Sequence, residues 1–222
     1  GHGCIYSNIN YIIAGLLIEK ISGLPVEEVI YQQILKPLKL CNTEFIKDIK
    51  DIPASCTHGF MDYEGNGNFE DVTYIDQSVM WAAGAMMSNV DDLIIANKAQ
   101  LEGRFIGHKL LKERLKTIPI SKPIAPWWGT MQVGLGIQRI SQDYLGHYGA
   151  FNGYECCTFY NFQKDISIAT NINFSSLWGQ RVYTPSIFKA ILQILEGTWT
   201  GNVRIFSRDS KNKFSYFDKK FW

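Results

Sequence analysis

The chain reads as an α+β protein, and three features of its hydrophobic pattern point there. Apolar residues recur at helical spacing near the start, the period changes to two over consecutive segments after about residue 130, and one more helical stripe follows those strands. Helices first, then a run of strands, then a closing helix is the order of an α+β fold, not the strict alternation that builds a parallel sheet. Three regions follow: a mainly helical lobe with long loops over 1–130, antiparallel strands with a C-terminal helix over 131–197, and a polar extension over 198–222.

Ile9, Ile12, Ile13, Leu16, Leu17 and Ile21 mark the stripe of a first helix, with Gly23 as its C-terminal cap. Pro25 suits the first turn of a second helix, which runs to about Leu35 and stops at Pro37. From Cys41 to Val79 the pattern dissolves into Gly, Asn, Asp and aromatic residues, including Gly65-Asn66-Gly67-Asn68, and implies long loops with one hairpin. Loops of that length usually border a functional site. Ser88, paired with Asp91, is placed to cap a helix that carries Leu93, Ile94 and Leu101 and ends near Gly103. A further helix is expected over about Lys109–Ile118. Alternation then marks strands at Val133–Ile140, Tyr144–Ala150, Tyr154–Asn161 and Ile166–Ile172, whose short connections imply an antiparallel meander. The final helix, about Pro185–Leu195, carries Ile187, Ile191, Ile194 and Leu195 on one side and is expected to pack on that sheet.

With 22 basic and 21 acidic residues interspersed along 222, the chain presents no broad field for nucleic acid or a polyanionic substrate. Its expected partners are small molecules, peptides or proteins. No apolar run approaches the roughly 20 residues that span a bilayer. Cys4, Cys41, Cys56, Cys156 and Cys157 are an odd, scattered set in a chain too large to need a disulfide framework, which favours free thiols and leans toward a reducing compartment. Cys156 and Cys157 are adjacent, so on a strand one faces the core and the other the periphery. The histidines show no metal-ligand spacing, and neither a metal nor a cofactor is expected.

Three short motifs stand in order. Tyr6-Ser7-Asn8 lies at a helix entrance, Ser88-Asn89-Val90-Asp91 opens a later helix, and His147-Tyr148-Gly149 lies on a strand. In this arrangement the chain resembles the serine penicillin-recognising family: class C β-lactamases, D-alanyl-D-alanine carboxypeptidases and related esterases. The family's three active-site elements are Ser-x-x-Lys, a Tyr-x-Asn or Ser-x-Asn triplet, and a Lys/His-x-Gly strand. Tyr6-Ser7-Asn8 is similar to the second and His147-Tyr148-Gly149 to the third. Pro37-Leu38-Lys39-Leu40-Cys41-Asn42-Thr43-Glu44-Phe45, Ala83-Gly84-Ala85-Met86-Met87-Ser88 and Gly134-Leu135-Gly136 resemble further family segments, so the likeness covers about Cys4–Leu195.

The resemblance implies a β-lactamase/D,D-peptidase-like fold and acyl transfer through a serine, on β-lactams, peptidoglycan stem peptides or small esters. Acyl transfer needs an activated hydroxyl, a proton shuttle and donors aimed at an oxyanion. Tyr6 would be the base, Asn8 would orient a lysine and a substrate amide, and His147 would sit beside Tyr6. Gly149 and Ala150 would bind substrate, the Ala150 N–H serving as an oxyanion donor. A free tyrosine ionises near pH 10, so Tyr6 would need neighbouring cations to work as a base near neutrality. Ser7 could also serve as a nucleophile, although Tyr6 holds the first place of the triplet. Trp81, Trp127 and Trp128 could line a cleft or pack in the core.

The first element is missing. Ser-x-x-Lys occurs at Ser186-Ile187-Phe188-Lys189 and Ser210-Lys211-Asn212-Lys213, whereas the family's nucleophile opens a long helix before the triplet. The expected chain therefore lacks the nucleophile helix and two N-terminal strands, and is inert as an acyl-enzyme former. The competing reading is a non-catalytic, truncated relative that acts as a binding or interaction module, with dimer formation or pairing through an exposed sheet edge.

Overall fold

The computed structural model describes residues 4–64, 66–76, 78–120, 131–140, 143–176, 183–198, 203–208 and 214–219. They form two compact units, Gly1–Thr184 and Pro185–Trp222. Trp127, Trp128 and Ser210-Lys211-Asn212-Lys213 lie outside the described residues.

Helix α1 (Ile9–Ser22) ends as its glycine predicts: Gly23 turns left-handed at φ 71° and its N–H reaches Glu19 O at 2.8 Å. Of its residues only Gly15 is buried. A Cβ at Gly15 would lie 2.6 Å from Ala82 Cβ and 2.9 Å from the Trp81 ring, so the missing side chain is what lets the Ser78–Ala83 turn seat against the helix. Trp81 occupies the cleft this leaves and is itself strained, at φ 35° and ψ −125°.

The next helix runs past its proline. Segments α2 (Val26–Ile30) and α3 (Lys36–Leu38) are joined by a π-helical turn over Tyr31–Leu35, and Pro37 lies inside α3. A proline lacks an N–H and crowds the carbonyl four residues back, and a widened turn ahead of it relieves both demands. The helix stops at Lys39 instead, where φ is 56° and Leu40 N–H bonds to Leu35 O at 3.0 Å.

Short strands β1 (Glu44–Phe45) and β4 (Met86–Met87) pair with each other, and β2 (Phe60–Asp62) pairs antiparallel with β3 (Glu70–Asp71) across the Gly/Asn turn. Helix α4 (Val90–Leu101) starts one residue later than its serine suggests: Asn89 Oδ1 caps it by accepting from Asp92 N at 2.9 Å. Ser88 Oγ lies 2.8 Å from Thr43 Oγ1, and the buried Asp92 carboxylate accepts from Thr43 Oγ1 (2.8 Å) and Asn42 N (2.9 Å). This network fastens the Asn42-Thr43 loop to the helix start. Helix α5 (His108–Arg114) is shorter than its apolar pattern predicts.

The main sheet has six strands in the order β10-β9-β8-β7-β6-β5, all neighbours antiparallel: β5 (Ile118–Pro119), β6 (Gln132–Val133), β7 (Gln138–Ile140), β8 (Tyr144–Phe151), β9 (Tyr154–Asn161) and β10 (Ile166–Ile172). The strand expected over Val133–Ile140 is two strands, because Gly134 N–H turns back onto Ile137 O at 2.8 Å. Strands β8 and β9 are joined by Asn152-Gly153, with Gly153 at φ 81°. Strand β11 (Phe174–Ser176) then leaves the main sheet and runs parallel to β2.

Helix α4 lies across β9 and β10 and reaches β8 through Asn97, whose Nδ2 donates to Leu145 O (3.3 Å), while Thr158 Oγ1 donates to Leu93 O (3.4 Å). Leu101, Ile137, Leu145 and Tyr160 form the core between them, with Leu115 packed on its flank. Each such side chain, fully buried, contributes about 2 kcal/mol. Cys157 is fully buried and Cys156 half-buried, as alternation requires.

Helix α6 (Thr184–Leu195) forms as its apolar spacing predicts. Within the polar extension, β12 (Val203–Arg208) pairs antiparallel with β13 (Phe214–Lys219); Ile205↔Phe217 and Phe206↔Tyr216 are the β-prone pairs at its centre.

Candidate active site

Two elements build the site. The first is the entrance to α1. Asn8 is its N-cap but sits in helical backbone (φ −59°, ψ −28°), and its side chain makes no capping hydrogen bond. Ser7 Oγ takes that duty, accepting from Ile9 N at 3.3 Å, while Asn8 O accepts from Tyr11 N and Ile12 N. The local work is thus done by Ser7, which leaves the exposed Asn8 amide free of the helix end.

The second element is the far half of β8. Strand β7 pairs with β8 only from Gln138↔Gly146 to Ile140↔Tyr144, so beyond Gly146 the β7-side edge of β8 has no strand opposite it among the described residues. Tyr148 N–H points to that edge and is met by the buried Gln138 side chain at 2.9 Å. Strand alternation sends the Ala150 N–H the same way, one pleat farther along the open edge. Gly149 faces Cys156 across the β8–β9 ladder, and a Cβ there would lie 3.3 Å from Cys156 Sγ.

These elements meet. The Tyr6 and His147 rings lie 6.1 Å apart, centroid to centroid, and Tyr6 and Tyr11 lie 5.8 Å apart. His147 Nδ1 is 2.7 Å from Tyr148 O; a carbonyl only accepts, so Nδ1 carries the proton and Nε2 keeps its lone pair. Burial pushes the His147 pKa down, and the Arg114 charge lowers it further, so the imidazole is neutral at pH 7.

Tyr6 is half-buried beside Tyr11. Burial, then the Tyr11 phenol, push its pKa up to about 12. The Tyr11 side chain, with its ring 5.8 Å away, favours the protonated form of Tyr6. The proton is therefore held on Tyr6 at neutral pH, by burial and by Tyr11. Among the described residues, the Arg114 cation acts on Tyr11 and His147. It is anchored by Gln100 Oε1 (2.6 Å), Leu135 O (3.1 Å) and Gly136 O (3.3 Å).

Tyr11, Arg114 and Gln138 escape sequence reasoning. Tyr11 reads as one more helix residue, Arg114 as a solvated helix end, and Gln138 as a strand polar; only the spatial convergence singles them out. Gln138 alone left a trace, as a polar residue at an inward position of a strand flanking His147.

Known proteins can now be compared with this geometry. A family model described as Beta-lactamase matches residues 1–184. Among solved structures, a D-stereospecific amidohydrolase from Streptomyces sp. is 29% identical with a TM-score of 0.69, over 78% of this chain and 51% of that one. An octameric penicillin-binding protein homologue from Pyrococcus abyssi is 26% identical with a TM-score of 0.70, over 89% and 43%. D-amino acid amidase from Ochrobactrum anthropi SV3 shares the fold at 21% identity and a TM-score of 0.73, over 88% and 59%. The chain spans about half the length of these relatives. A β-lactamase/D,D-peptidase-like α+β fold and a family match over most of the sequence agree: this chain belongs to the Beta-lactamase family of serine hydrolases.

Proposed function

We propose that this chain supplies the second and third active-site elements of a β-lactamase-like serine hydrolase and forms no acyl-enzyme by itself. Tyr6 and Asn8 are the second element, His147 the third, and Gly149 with the Ala150 N–H the substrate-binding strand edge. The observation that carries this reading is the approach of Tyr6 to His147, 6.1 Å between rings, from elements far apart in the sequence. The nucleophile is what the reading lacks. Ser186 is an exposed residue in the first turn of α6, and Ser7 Oγ is engaged by Ile9 N. Tyr6 holding its proton fits a site that awaits a cation, since a lysine beside the phenol would bring its pKa down.

The substrate class we favour is an amide or peptide with a D-configured residue, with esters and β-lactams behind it. The Streptomyces amidohydrolase is named for D-stereospecificity and is the 29%-identical neighbour. A histidine in place of lysine in the third element also tilts the site away from β-lactams.

The same protonated Tyr6 supports a second reading, a non-catalytic relative that binds without turning over. A fluorescent penicillin and a fluorophosphonate probe separate the possibilities. The 222-residue chain is expected to stay unlabelled; stoichiometric labelling, abolished by changing one of its own serines, refutes the proposal. A longer chain carrying a Ser-x-x-Lys element ahead of Tyr6 should be labelled. If it is not, the binding-module reading stands.

A further inference from the structure

Strand β7 buries Gln138 and Ile140 and leaves Arg139 between them half-buried. Ile140 has the apolar side chain that an inward place usually takes; Gln138, at 2% exposure, does not. A buried amide is costly unless its polar atoms are paired, so its partner is informative. The Gln138 backbone closes the β7–β8 ladder opposite Gly146, and its Oε1 reaches two residues farther along β8, where Tyr148 N–H donates to it at 2.9 Å. The chain ahead of Gln138 has already turned away, with Gly136 left-handed at φ 65° and Gly134 N–H bonded to Ile137 O. The glutamine side chain therefore does what a further ladder residue of β7 would do.

In an antiparallel strand the N–H and C=O of one residue point to the same edge, so Tyr148 offers both beside Gln138. The N–H goes to Gln138 Oε1. The C=O, 2.7 Å from His147 Nδ1, accepts the imidazole proton. Two hydrogen bonds through one residue thus join Gln138 to His147, and the carbonyl that selects the His147 tautomer moves if the Tyr148 edge moves.

We propose that Gln138 is a positioning residue of the candidate site: it holds the Tyr148 edge of β8 in place of a strand and, through the Tyr148 carbonyl, keeps the His147 proton on Nδ1 and the lone pair on Nε2. Nε2 is then the nitrogen that can accept a proton or a substrate N–H. The catalytic meaning of this device rests on the reading of His147 as the third active-site element; its test does not. A glutamine that only packed β7 would stabilise the sheet without choosing the His147 tautomer.

Nitrogen–proton correlation spectra of His147 and amide hydrogen exchange of Tyr148, at neutral pH on the 222-residue chain, read the device directly. No turnover is needed, so failure here is separate from failure of the labelling experiment above. The parent chain should show the Nδ1–H tautomer and a protected Tyr148 amide. Gln138→Met keeps the length of the side chain and loses the amide acceptor. It should speed Tyr148 exchange about tenfold, the equivalent of one hydrogen bond, and bring the Nε2–H tautomer into view. Phe159, in the β9–β10 ladder opposite Ile168, should exchange as before. Gln138→Glu retains an acceptor oxygen and should return both signals toward the parent. Circular dichroism and thermal melting verify that the variants fold. An Nε2–H tautomer in the parent chain overturns the proposal before any variant is made. So does a folded Gln138→Met chain with His147 and Tyr148 unchanged, or one in which Phe159 quickens as much as Tyr148. A folded Gln138→Glu chain as disturbed as Gln138→Met overturns it too.

Discussion

Burial and the Tyr11 phenol hold the Tyr6 proton up to a pKa of about 12. Because the folded value lies above the ordinary one, the contribution of Tyr6 to stability is complete below about pH 10 and is lost as pH rises through about 12. Spectrophotometric titration of the parent chain against Tyr6→Phe should therefore lose a phenol that ionises near 12; loss of one that ionises at or below 10 contradicts this environment. Glu155 obeys the same sign rule. It is 3% exposed, accepts from Tyr183 N and Thr184 N at 3.0 Å each, and burial raises its pKa. Its stabilising effect is greatest in acid and fades as pH rises through the carboxyl range. Glu155→Gln keeps an acceptor without the charge, so the difference in melting temperature between variant and parent should grow in the variant's favour from acid to neutral pH. Glu155→Ala leaves two N–H groups unpaired and should cost about 2 kcal/mol in acid, and less as pH rises to neutrality, read from denaturant melts.

The β8–β9 ladder carries His147, and one glycine sets its closeness. A Cβ at Gly146 would lie 1.8 Å from Thr158 O, a contact no side-chain shift relieves because both partners are backbone. Gly146→Ala should force the strands apart at the base of the His147 segment, at a cost of about 3 kcal/mol in chemical denaturation. A loss under about 1 kcal/mol would mean that the ladder yields there more easily than its geometry implies. The hairpin end is pinned as firmly: Gly153 is left-handed, its N–H reaches Ser175 Oγ at 2.9 Å, and a Cβ there would meet Val72 at 2.4 Å. The α4 start depends on Asp92, which serves two donors from the Asn42-Thr43 loop; Asp92→Ala should cost about 2 kcal/mol by leaving Asn42 N unpaired.

Across the first unit, the apolar residues of α1 are unusually open to solvent. Ile9 is 64% exposed, Leu16 55% and Ile21 84%, and Ile5 just ahead of the helix is 70% exposed. Patches of that kind attract other apolar surfaces. The chain should bind a hydrophobic dye such as anilinonaphthalene sulfonate in its native state, and Leu16→Glu with Ile21→Glu should abolish most of that fluorescence without lowering the melting temperature. Unchanged fluorescence would place the dye elsewhere. No single described helix is long and apolar enough to cross a membrane.

Local chemistry made much of this protein legible from its residues. Gly23 ends α1 because a left-handed residue must, and period-two alternation exposes β8, β9 and β10 because successive side chains face opposite ways. The Tyr-x-Asn and His-x-Gly spacings could be read for the same reason, each being a short segment of one element. What needed tertiary structure is everything that depends on a neighbour distant in sequence. Asn89 displaces Ser88 as the α4 cap because Thr43 and its loop claim the serine, and a π turn carries the second helix past Pro37. Tyr6 is held as a neutral phenol by burial and Tyr11, although the pattern alone calls for a base. Spacing along a chain determines which faces and turns are available; the pKa of a side chain and the choice of its partner are set by the dielectric and the groups that folding brings within a few ångströms.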